Sequence, residues 1–450
     1  MVPTRAWRAA AAAPWWNGPM PDTTEFQIPV IGRRQLALAT WGLFVGLTLI
    51  LLSGGIFSTL LGVRAELQGV PTLLTGGITA AYYAGFLVGS RYGLAALRQV
   101  GHIRAYAALG ALLAAAVTLL GITSSPVAWL LLRAVTGVSF AGLYVVAESW
   151  LNGLAANSFR GRLLALYAAL VVGAYGVGEI LVFNFDPRAA TGFSIAAVIA
   201  ALAVLPVAVS VEATAPPVER DEHIAMREVA RRVPTGAVGS ILVGLSHGAM
   251  LGLTAVWATR GGLSVGRTGV MLAAIGFGGM ALTWPISAAS DDIDRRAIGV
   301  VTSLGAAGAA FLMLSLDVRS WWMVLAIAVV GGFNYPLYSI VGAYTNDWVD
   351  AEHLGAAASM LVTLYGIGAM VGPLVAAGFM EVIGDDGYPW AIVVLNVVIA
   401  IFFAYRIRAW HAPLMTRPLA EAGVPARAFF VPATIVTMGA RRRRATPPAA

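Results

Sequence analysis

The sequence predicts an all-α membrane protein with twelve transmembrane helices in two pseudo-symmetric six-helix bundles. Composition is the first reason: 59% of the 450 residues are hydrophobic, 11% are charged, and the mean hydropathy is +0.79. The second reason is a series of twelve apolar stretches, each close to the roughly 20 residues that a helix needs to cross a bilayer. The third is an internal repeat. At this length, such a composition excludes a soluble globular protein.

The first six predicted spans are separated by short segments that contain arginine or proline. They follow a polar, proline-containing segment at 1–35, which is expected to be cytoplasmic, and translation from Met20 is an alternative start. Together they form a first bundle at 36–211. The spans are 36–62, 72–94, 103–123, 126–153, 161–184 and 189–211.

A charged segment at 212–234 separates the two bundles. Its mixed charges and the Pro216-Pro217 pair predict a solvated cytoplasmic linker with a short surface helix. A second bundle at 235–408 and a basic cytoplasmic tail at 409–450 follow. The spans of the second bundle are 235–259, 266–289, 297–316, 320–346, 354–380 and 388–408.

The arginines predict the orientation of the chain in the membrane. With both termini in the cytoplasm, 23 of the 29 basic residues fall in cytoplasmic segments, 5 fall in outer loops, and Arg133 lies inside a span. Cytoplasmic loops carry the excess of arginine and lysine in membrane proteins. The pattern therefore predicts cytoplasmic termini and the cell inner (plasma) membrane, with anionic lipid as a partner of the basic tail.

The internal repeat has an offset of 194 residues. At this offset Gly137 aligns with Gly331, Tyr144 with Tyr338, and Asn152 with Asn346. The fourth and tenth spans are thus predicted to be equivalent. Repeated halves with a substrate site between them at mid-membrane are typical of alternating-access transporters.

The sequence argues against several other classes of protein. Cysteine is absent, which excludes disulfides and thiolate chemistry. No P-loop, metal-ligand spacing or paired nucleophile and base is recognisable, so we expect no cofactor, no metal and no enzymatic activity. The arginines lie between spans and in the tail, which argues against nucleic acid as a partner.

Three ionisable residues inside predicted spans are candidates for proton coupling. Arg133 and Glu179 fall at similar depth on consecutive helices, and charge at bilayer depth is usually kept for function. Our hypothesis is an ion pair that proton uptake by Glu179 breaks, and the alternative is a fixed pair that joins two helices. His247 is either a proton relay or a neutral histidine bonded to a backbone carbonyl.

Polar side chains near the middle of the tenth span are candidates for the cavity lining. Pro336 is expected to interrupt the helix there and to free a carbonyl group. Aromatic residues in membrane helices also serve as packing or interface anchors. The predicted lining residues on the tenth span are Asn334, Tyr335 and Tyr338. Tyr144 of the fourth span, the repeat partner of Tyr338, and Tyr365 of the eleventh span are predicted to join them.

Several motifs resemble the major facilitator superfamily, over essentially the whole chain. The loop Gly93 to Arg104 is similar to a family pattern but has Leu97 where an acid is expected, and Arg133 to Gly137 resembles the family's arginine motif, which is associated with proton coupling. The segments that resemble the YcaD-like branch are AESWLN, RGRLLALY, GFNYPLY, GIG and GP.

The resemblance implies a cytoplasmic gate in which acids and arginines pair in one state and separate in the other. Glu148 would pair with Arg160 or Arg162, although a permanent salt bridge is an equal alternative. Leu97 departs from the acid of the family's latch in the first half. The remaining gate residues implied by the family motifs are Arg98, Asp291, Arg295 and Arg296.

We therefore expect a secondary transporter that moves a small organic solute, acts as a monomer and is coupled to protons. A mostly apolar cavity with few amides favours export of amphipathic compounds, and proton-coupled uptake of a sugar-like or other metabolite is the alternative. A transport-inactive receptor or assembly partner is the alternative of another class.

Overall fold

The computed structural model describes residues 33–154, 157–210, 226–350 and 353–409, with the side chains of 33–39, 152–162 and Leu164 excepted. The predicted tail beyond residue 409, nearly all of the N-terminal segment and most of the linker lie outside these residues. Twelve of the described helices are long and apolar enough to cross a membrane, which confirms the predicted number.

The first half contains six membrane helices. They are α1 (Arg33–Leu67), α2 (Thr72–Val100), α3 (His102–Ile122), α4 (Pro126–Leu154), α5 (Asn157–Leu181) and the interrupted α6, made of α6a (Thr191–Leu202) and α6b (Val204–Ala208). The interruption falls one turn before Pro206, which has no N–H to donate to the Leu202 carbonyl.

The second half follows a short helix, Met226–Arg232. It contains α7 (Pro234–Arg260), α8 (Val265–Asp292), α9 (Arg295–Met313), α10a (Trp321–Asn334), α10b (Pro336–Asp347), α11 (Leu354–Ile383) and α12 (Gly387–Ala409). Pro336 divides the tenth span at Tyr335, as its missing N–H requires.

The ends of several helices follow from individual residues. Asp294 caps α9 by accepting a hydrogen bond from the Arg296 backbone N–H at 2.9 Å, and Ser320 caps α10a in the same way at 3.1 Å. Gly384 ends α11 with φ of 81°, a conformation that glycine adopts without strain. Short turns therefore join long helices on both sides of the protein.

The repeat seen in the sequence is also a repeat of contacts. Gly137 lies against the Tyr82 carbonyl, so that α4 touches α2, and Gly331 lies against the Ile275 carbonyl, so that α10a touches α8. A side chain at either glycine would collide with the neighbouring backbone. The two bundles are thus built from the same close contacts, and each has its own apolar core.

The membrane helices have their ends on two faces. We call the face at which α1 begins and α12 ends the termini face, and the opposite face, which holds the α1–α2 and α7–α8 turns, the far face. Large apolar side chains such as Leu131, Trp321 and Val382 are exposed on the outside of the bundles. Such a surface fits lipid, which needs no polar covering.

Candidate functional site

A cavity lies between the two bundles. It comprises about 1180 Å³ of space free of protein atoms, part of it continuous with solvent. Helices α1, α2, α4 and α5 line one wall, and α7, α8 and the break in the tenth span line the other. The polar and aromatic lining residues are Ser58, Thr59, Thr75, Thr79, Tyr82, Tyr83, Arg133, Tyr144, Tyr175, Glu179 and Tyr335.

Arg133 is held against the first-half wall of the cavity. Its guanidinium lies 4.6 Å from the centre of the Tyr82 ring and 5.8 Å from that of Phe57, and Nη1 donates to the Ser58 hydroxyl at 3.3 Å. Ring faces attract a cation but carry no full negative charge. Arg133 is only 7% exposed, so its charge lies in the membrane interior without an acidic partner among the described residues.

Glu179 lines the same cavity and is 8% exposed. The predicted ion pair with Arg133 is absent from this conformation, and within the described part of the chain no hydrogen bond to the Glu179 carboxyl occurs. The reason is geometric: Ser58 and Tyr82 hold the guanidinium towards α1 and α2. The backbone of α5 at Glu179 is wedged between Gly55 of α1 and Gly269 of α8.

His247 belongs to a buried network inside the second half. Its Nε2 lies 2.9 Å from the Asn334 carbonyl oxygen, and its Nδ1 lies 2.9 Å from the Tyr365 hydroxyl. A carbonyl only accepts, so Nε2 carries a proton, and in the neutral ring Nδ1 accepts from the Tyr365 hydroxyl. The side chain has 0% exposure and is not among the residues that line the cavity. This geometry supports the neutral, carbonyl-bonded alternative.

Two of the five predicted lining residues, Tyr144 and Tyr335, face the cavity. Asn334 instead exchanges hydrogen bonds with Ser246, and Tyr365 packs edge-on against Tyr338 with the ring centres 5.0 Å apart. These three predicted residues are packed inside the second half, where the interrupted tenth span meets α7 and α11.

Several lining residues were given no site role by sequence reasoning. Tyr175 and Ser58 are the clearest cases. Tyr175 lies one helical turn before Glu179, at the i−4 position, and therefore shares its face of α5. That spacing was a usable signal. No sequence pattern points to Ser58, because it contacts Arg133 only through the packing of α4 against α1.

The first-half part of the predicted gate is only partly described. Glu148 accepts a long hydrogen bond from the Tyr167 hydroxyl at 3.4 Å. The side chains of Arg160 and Arg162 lie outside the described residues, and with them the predicted pairing. Leu97 is 2% exposed in the apolar core, which accounts for an apolar residue at that position, and Arg98 is exposed on the last turn of α2.

The second-half part of the predicted gate forms ion pairs within its own bundle. Arg295 contacts Asp347 at 2.6 Å and Asp291 at 3.1 Å, and Arg296 contacts Asp294 at 2.8 Å. Partial burial of Asp294 raises the pKa of its carboxyl, but the hydrogen bonds and charge of Arg296 outweigh this and leave the pKa below its ordinary value.

A polar contact joins the halves on the far face. Arg260, at the end of α7, donates to the Glu66 carboxylate at 2.8 Å and to the Thr72 hydroxyl at 2.7 Å. Glu66 follows Ala65, which lines the cavity, so this contact, the far-face clasp, lies at one end of the cavity. Glu66 and Arg260 are 194 residues apart, which is the repeat offset. They are therefore equivalent positions of opposite charge.

Close helix packing accompanies the clasp. Gly269 of α8 packs against the Glu179 carbonyl. Gly76 of α2 packs against the Pro373 carbonyl of α11, whose oxygen lies 2.8 Å from the position that a Cβ on Gly76 would take. The Thr79 hydroxyl also donates to the Gly252 carbonyl at 3.4 Å. The two halves are therefore closed against each other towards the far face.

Two helical bundles related by a repeat, with a cavity and buried charges between them, define a membrane transporter. The chain belongs to the major facilitator superfamily, whose family model matches residues 43–314 and 236–445. Its similarity to relatives in the YcaD-like branch agrees with the resemblance found in the motifs.

These relatives are themselves described only as uncharacterised transporters. The chain is 24% identical over 350 residues to the uncharacterised MFS-type transporter YcaD of Salmonella arizonae, a match covering 76% of this chain and 89% of that protein. The YcaD protein of Escherichia fergusonii is 25% identical over 345 residues, with the same coverage.

Solved structures show the same fold at low sequence identity. The nucleoside transporter NupG superposes with a TM-score of 0.66 at 11% identity, covering 84% of this chain and 100% of that one. A D-xylose-proton symporter superposes with a TM-score of 0.58 at 15% identity, covering 81% and 97%. These similarities concern the fold alone.

Proposed function

We propose that the protein is a proton-coupled secondary transporter that exports small amphipathic compounds across the plasma membrane by alternating access. The observation that carries the proposal is Glu179, the single carboxyl group among the described residues that line the cavity. It lies in the membrane interior without a hydrogen-bond or ionic partner there. A buried carboxylate is costly in that state, and a proton or a substrate cation removes the cost.

The coupling follows from competition at this carboxyl group. A proton on Glu179 neutralises it and removes the attraction for a positively charged substrate group, whereas the ionised form attracts that group. Proton and substrate then exclude each other, which is the requirement for antiport. Arg133 keeps its charge throughout, because a guanidinium does not lose its proton in proteins.

The alternating step uses the clasp and the opposite face. The far-face clasp and the glycine contacts close one side of the cavity, and rocking of the two halves would open that side and close the termini face. We assign the termini face to the cytoplasm from the arginine distribution. The gate there would use Glu148 with Arg160 and Arg162. At the ends of α2, α8 and α9 it would use Arg98, Asp291, Arg295 and Arg296. Because the cavity lies within one chain, a monomer suffices.

The lining also supports a second candidate, proton-coupled uptake of a sugar-like metabolite. Four hydroxyl side chains, those of Ser58, Thr59, Thr75 and Thr79, face the cavity together with five tyrosines. Hydroxyl groups and aromatic rings suit a polyhydroxy solute. The described lining residues include no amide, which is why the amphipathic solute remains our first choice.

Replacement of Glu179 by Gln tests the coupling. Purified protein in liposomes would receive an acid-outside gradient and a panel of amphipathic cations, organic acids, zwitterions and sugars, with internal pH recorded. We expect compound-dependent proton flux in the wild type and its loss in the variant, since glutamine binds no proton. Glu381→Gln, at an exposed acid on α11, is the matched control. Proton-coupled flux that persists in folded Glu179→Gln protein would remove Glu179 as the coupling residue.

A further inference from the structure

Arg133 and Glu179 present two opposite charges to one cavity without pairing with each other. Both side chains are more than nine-tenths buried, and the guanidinium and carboxyl groups do not come within the 4 Å of an ion pair. An unpaired charge at this depth is costly. A protein that keeps both charges in this arrangement has a use for each of them.

The guanidinium is only partly satisfied by the protein. Nη1 bonds to Ser58, while Nε and Nη2 have no described hydrogen-bond acceptor and are not among the fully enclosed polar atoms without partners. They are therefore open to the cavity. A guanidinium with two free N–H directions binds a carboxylate through paired hydrogen bonds. Since its charge cannot be removed by deprotonation, an anionic group is the partner that it lacks.

The carboxyl group has the complementary need. No described residue donates a hydrogen bond to it, and Gly55 and Gly269 fix its backbone against α1 and α8. Arg133 is held by its contacts with Tyr82 and Ser58. The two charges are thus kept apart by packing, and a ligand with its own opposite charges fits between them.

The two walls of the cavity differ in character. Both charges belong to α4 and α5 of the first half, whereas the second half contributes mainly apolar or small residues. A ligand that meets both walls therefore has its charged groups at one end and an apolar body at the other. The second-half lining residues are Leu251, Gly252, Ala255, Leu272, Gly276 and Tyr335.

We propose that the transported compound is an amphipathic zwitterion, whose carboxylate binds Arg133, whose ammonium group binds Glu179, and whose apolar body lies against α7 and α8. This assignment rests on the proposed transport function and specifies its substrate. A simple cation leaves Arg133 without a partner, and a simple anion leaves Glu179 to be neutralised by a proton. Only the zwitterion satisfies both charges while Glu179 is ionised.

Binding of matched probes tests the assignment without any gradient. The full chain is purified in a non-ionic maltoside detergent, because a zwitterionic detergent would compete. Calorimetry then compares tryptophan, tryptamine and indole-3-propionate, and a second set of phenylalanine, phenethylamine and 3-phenylpropionate. Within each set the apolar body is constant and only the charged groups differ. We expect the zwitterion of at least one set to bind about tenfold or more tightly than its amine or its acid, the scale of a hydrogen bond to a charged group.

Variants assign each charge to its residue. Arg133→Gln should make the zwitterion and the amine bind alike, and Glu179→Gln should make the zwitterion and the acid bind alike. Arg133→Lys keeps the charge and should retain part of the preference, which provides a second variant if Arg133→Gln does not fold. Glu381→Gln should leave the affinities for the zwitterion, the amine and the acid unchanged.

The outcomes separate this inference from the transport function. Equal binding of amine and zwitterion to the wild type, an unchanged preference in Arg133→Gln, or no binding of either zwitterion would overturn the assignment. Proton flux driven by a simple cation would then still support the transporter. Zwitterion binding that depends on both residues, without any proton flux in liposomes, would instead support the binding site and reject proton coupling.

Discussion

Arg133, Glu179 and His247 show how burial alone leaves the role of an ionisable residue open. Each was a candidate for proton coupling because it lies inside an apolar span. The structure gives them different surroundings: Arg133 and Glu179 face the cavity, while both ring nitrogens of His247 are occupied by Asn334 and Tyr365. At the scale of the residue, the partners distinguish a group that is free to exchange a proton from one that is fixed.

Replacement of His247 by Leu should lower stability. It leaves the Tyr365 hydroxyl and the Asn334 carbonyl buried without their partner, at a cost of about 1–3 kcal/mol for each group. The apparent melting temperature in detergent measures this loss. The variant His247→Gln can replace part of the bonding and should keep proton-coupled flux. Loss of coupling in a folded His247→Gln protein would instead identify His247 as a proton relay.

Asp294 gives a prediction for the dependence of stability on pH. Its pKa is lower in the folded protein than in the unfolded chain, so it stabilises the fold above the unfolded value of about 3.9. That contribution is lost as the pH falls through the lower, folded value. Asp294→Asn should therefore have a lower apparent melting temperature than the wild type at pH 7 and pH 5, because the ion pair with Arg296 is lost while asparagine can still cap the helix.

The difference between wild type and Asp294→Asn should shrink once the pH falls below about 3.9, where the unfolded chain takes up a proton at this carboxyl, and should be lost below the lower pKa of the folded protein. Asp291→Asn is the control, since that side chain is 67% exposed. A difference that stays constant over the whole range would show that the charge of Asp294 contributes nothing.

At the scale of the helix, the repeat places equivalent positions opposite each other. Glu66 lies in the last turn of α1 and Arg260 ends α7, and the two meet where these helices approach on the far face. An acid and a base at equivalent positions attract across the interface, whereas identical charges would repel. The clasp thus forms because the two halves carry opposite charges at this pair of equivalent positions.

Cysteine pairs can test the clasp, because the chain contains no other cysteine. The double variant Glu66→Cys with Arg260→Cys should be joined by a short bis-maleimide reagent, so that the halves stay together on a gel after cleavage at a protease site inserted in the linker. The joined protein should lose transport, because the far face can no longer open. Glu66→Cys with Asp385→Cys, also on the far face, is the control pair. Full transport by the joined protein would show that the clasp does not have to open.

At the scale of the molecule, the two halves form one cavity that neither half contains alone. The first half supplies both charges, and the second half supplies a wall of mainly apolar or small residues. Contacts between the two halves close the cavity towards the far face in this conformation. The orientation in the membrane then decides which compartment the solute meets.

Single cysteines should reveal that orientation. Ser124→Cys and Asp385→Cys lie in exposed turns of the far face, and Asp292→Cys lies at the termini face. With cytoplasmic termini, a membrane-impermeant maleimide should label the first two in intact cells and the third only after permeabilisation. Labelling of Asp292→Cys in intact cells would reverse the orientation and, with it, the assignment of the gates.

The sequence by itself determined the twelve spans, the two related halves, the superfamily and the burial of Arg133 and Glu179. These features depend on hydropathy, spacing and the repeat, which are properties of the chain read in order. It also located the break at Pro336, since a missing N–H acts locally.

Only the tertiary structure decided which groups are partners. Arg133 turned to Ser58 and Tyr82 instead of Glu179, Asn334 faced Ser246, and Glu66 met Arg260 across the two halves. Such contacts depend on how helices rotate and approach each other, and close packing fixes this through residues such as Gly55 and Gly269. A sequence records the depth of a residue along its helix, but the direction in which the side chain points is fixed only when the helices pack.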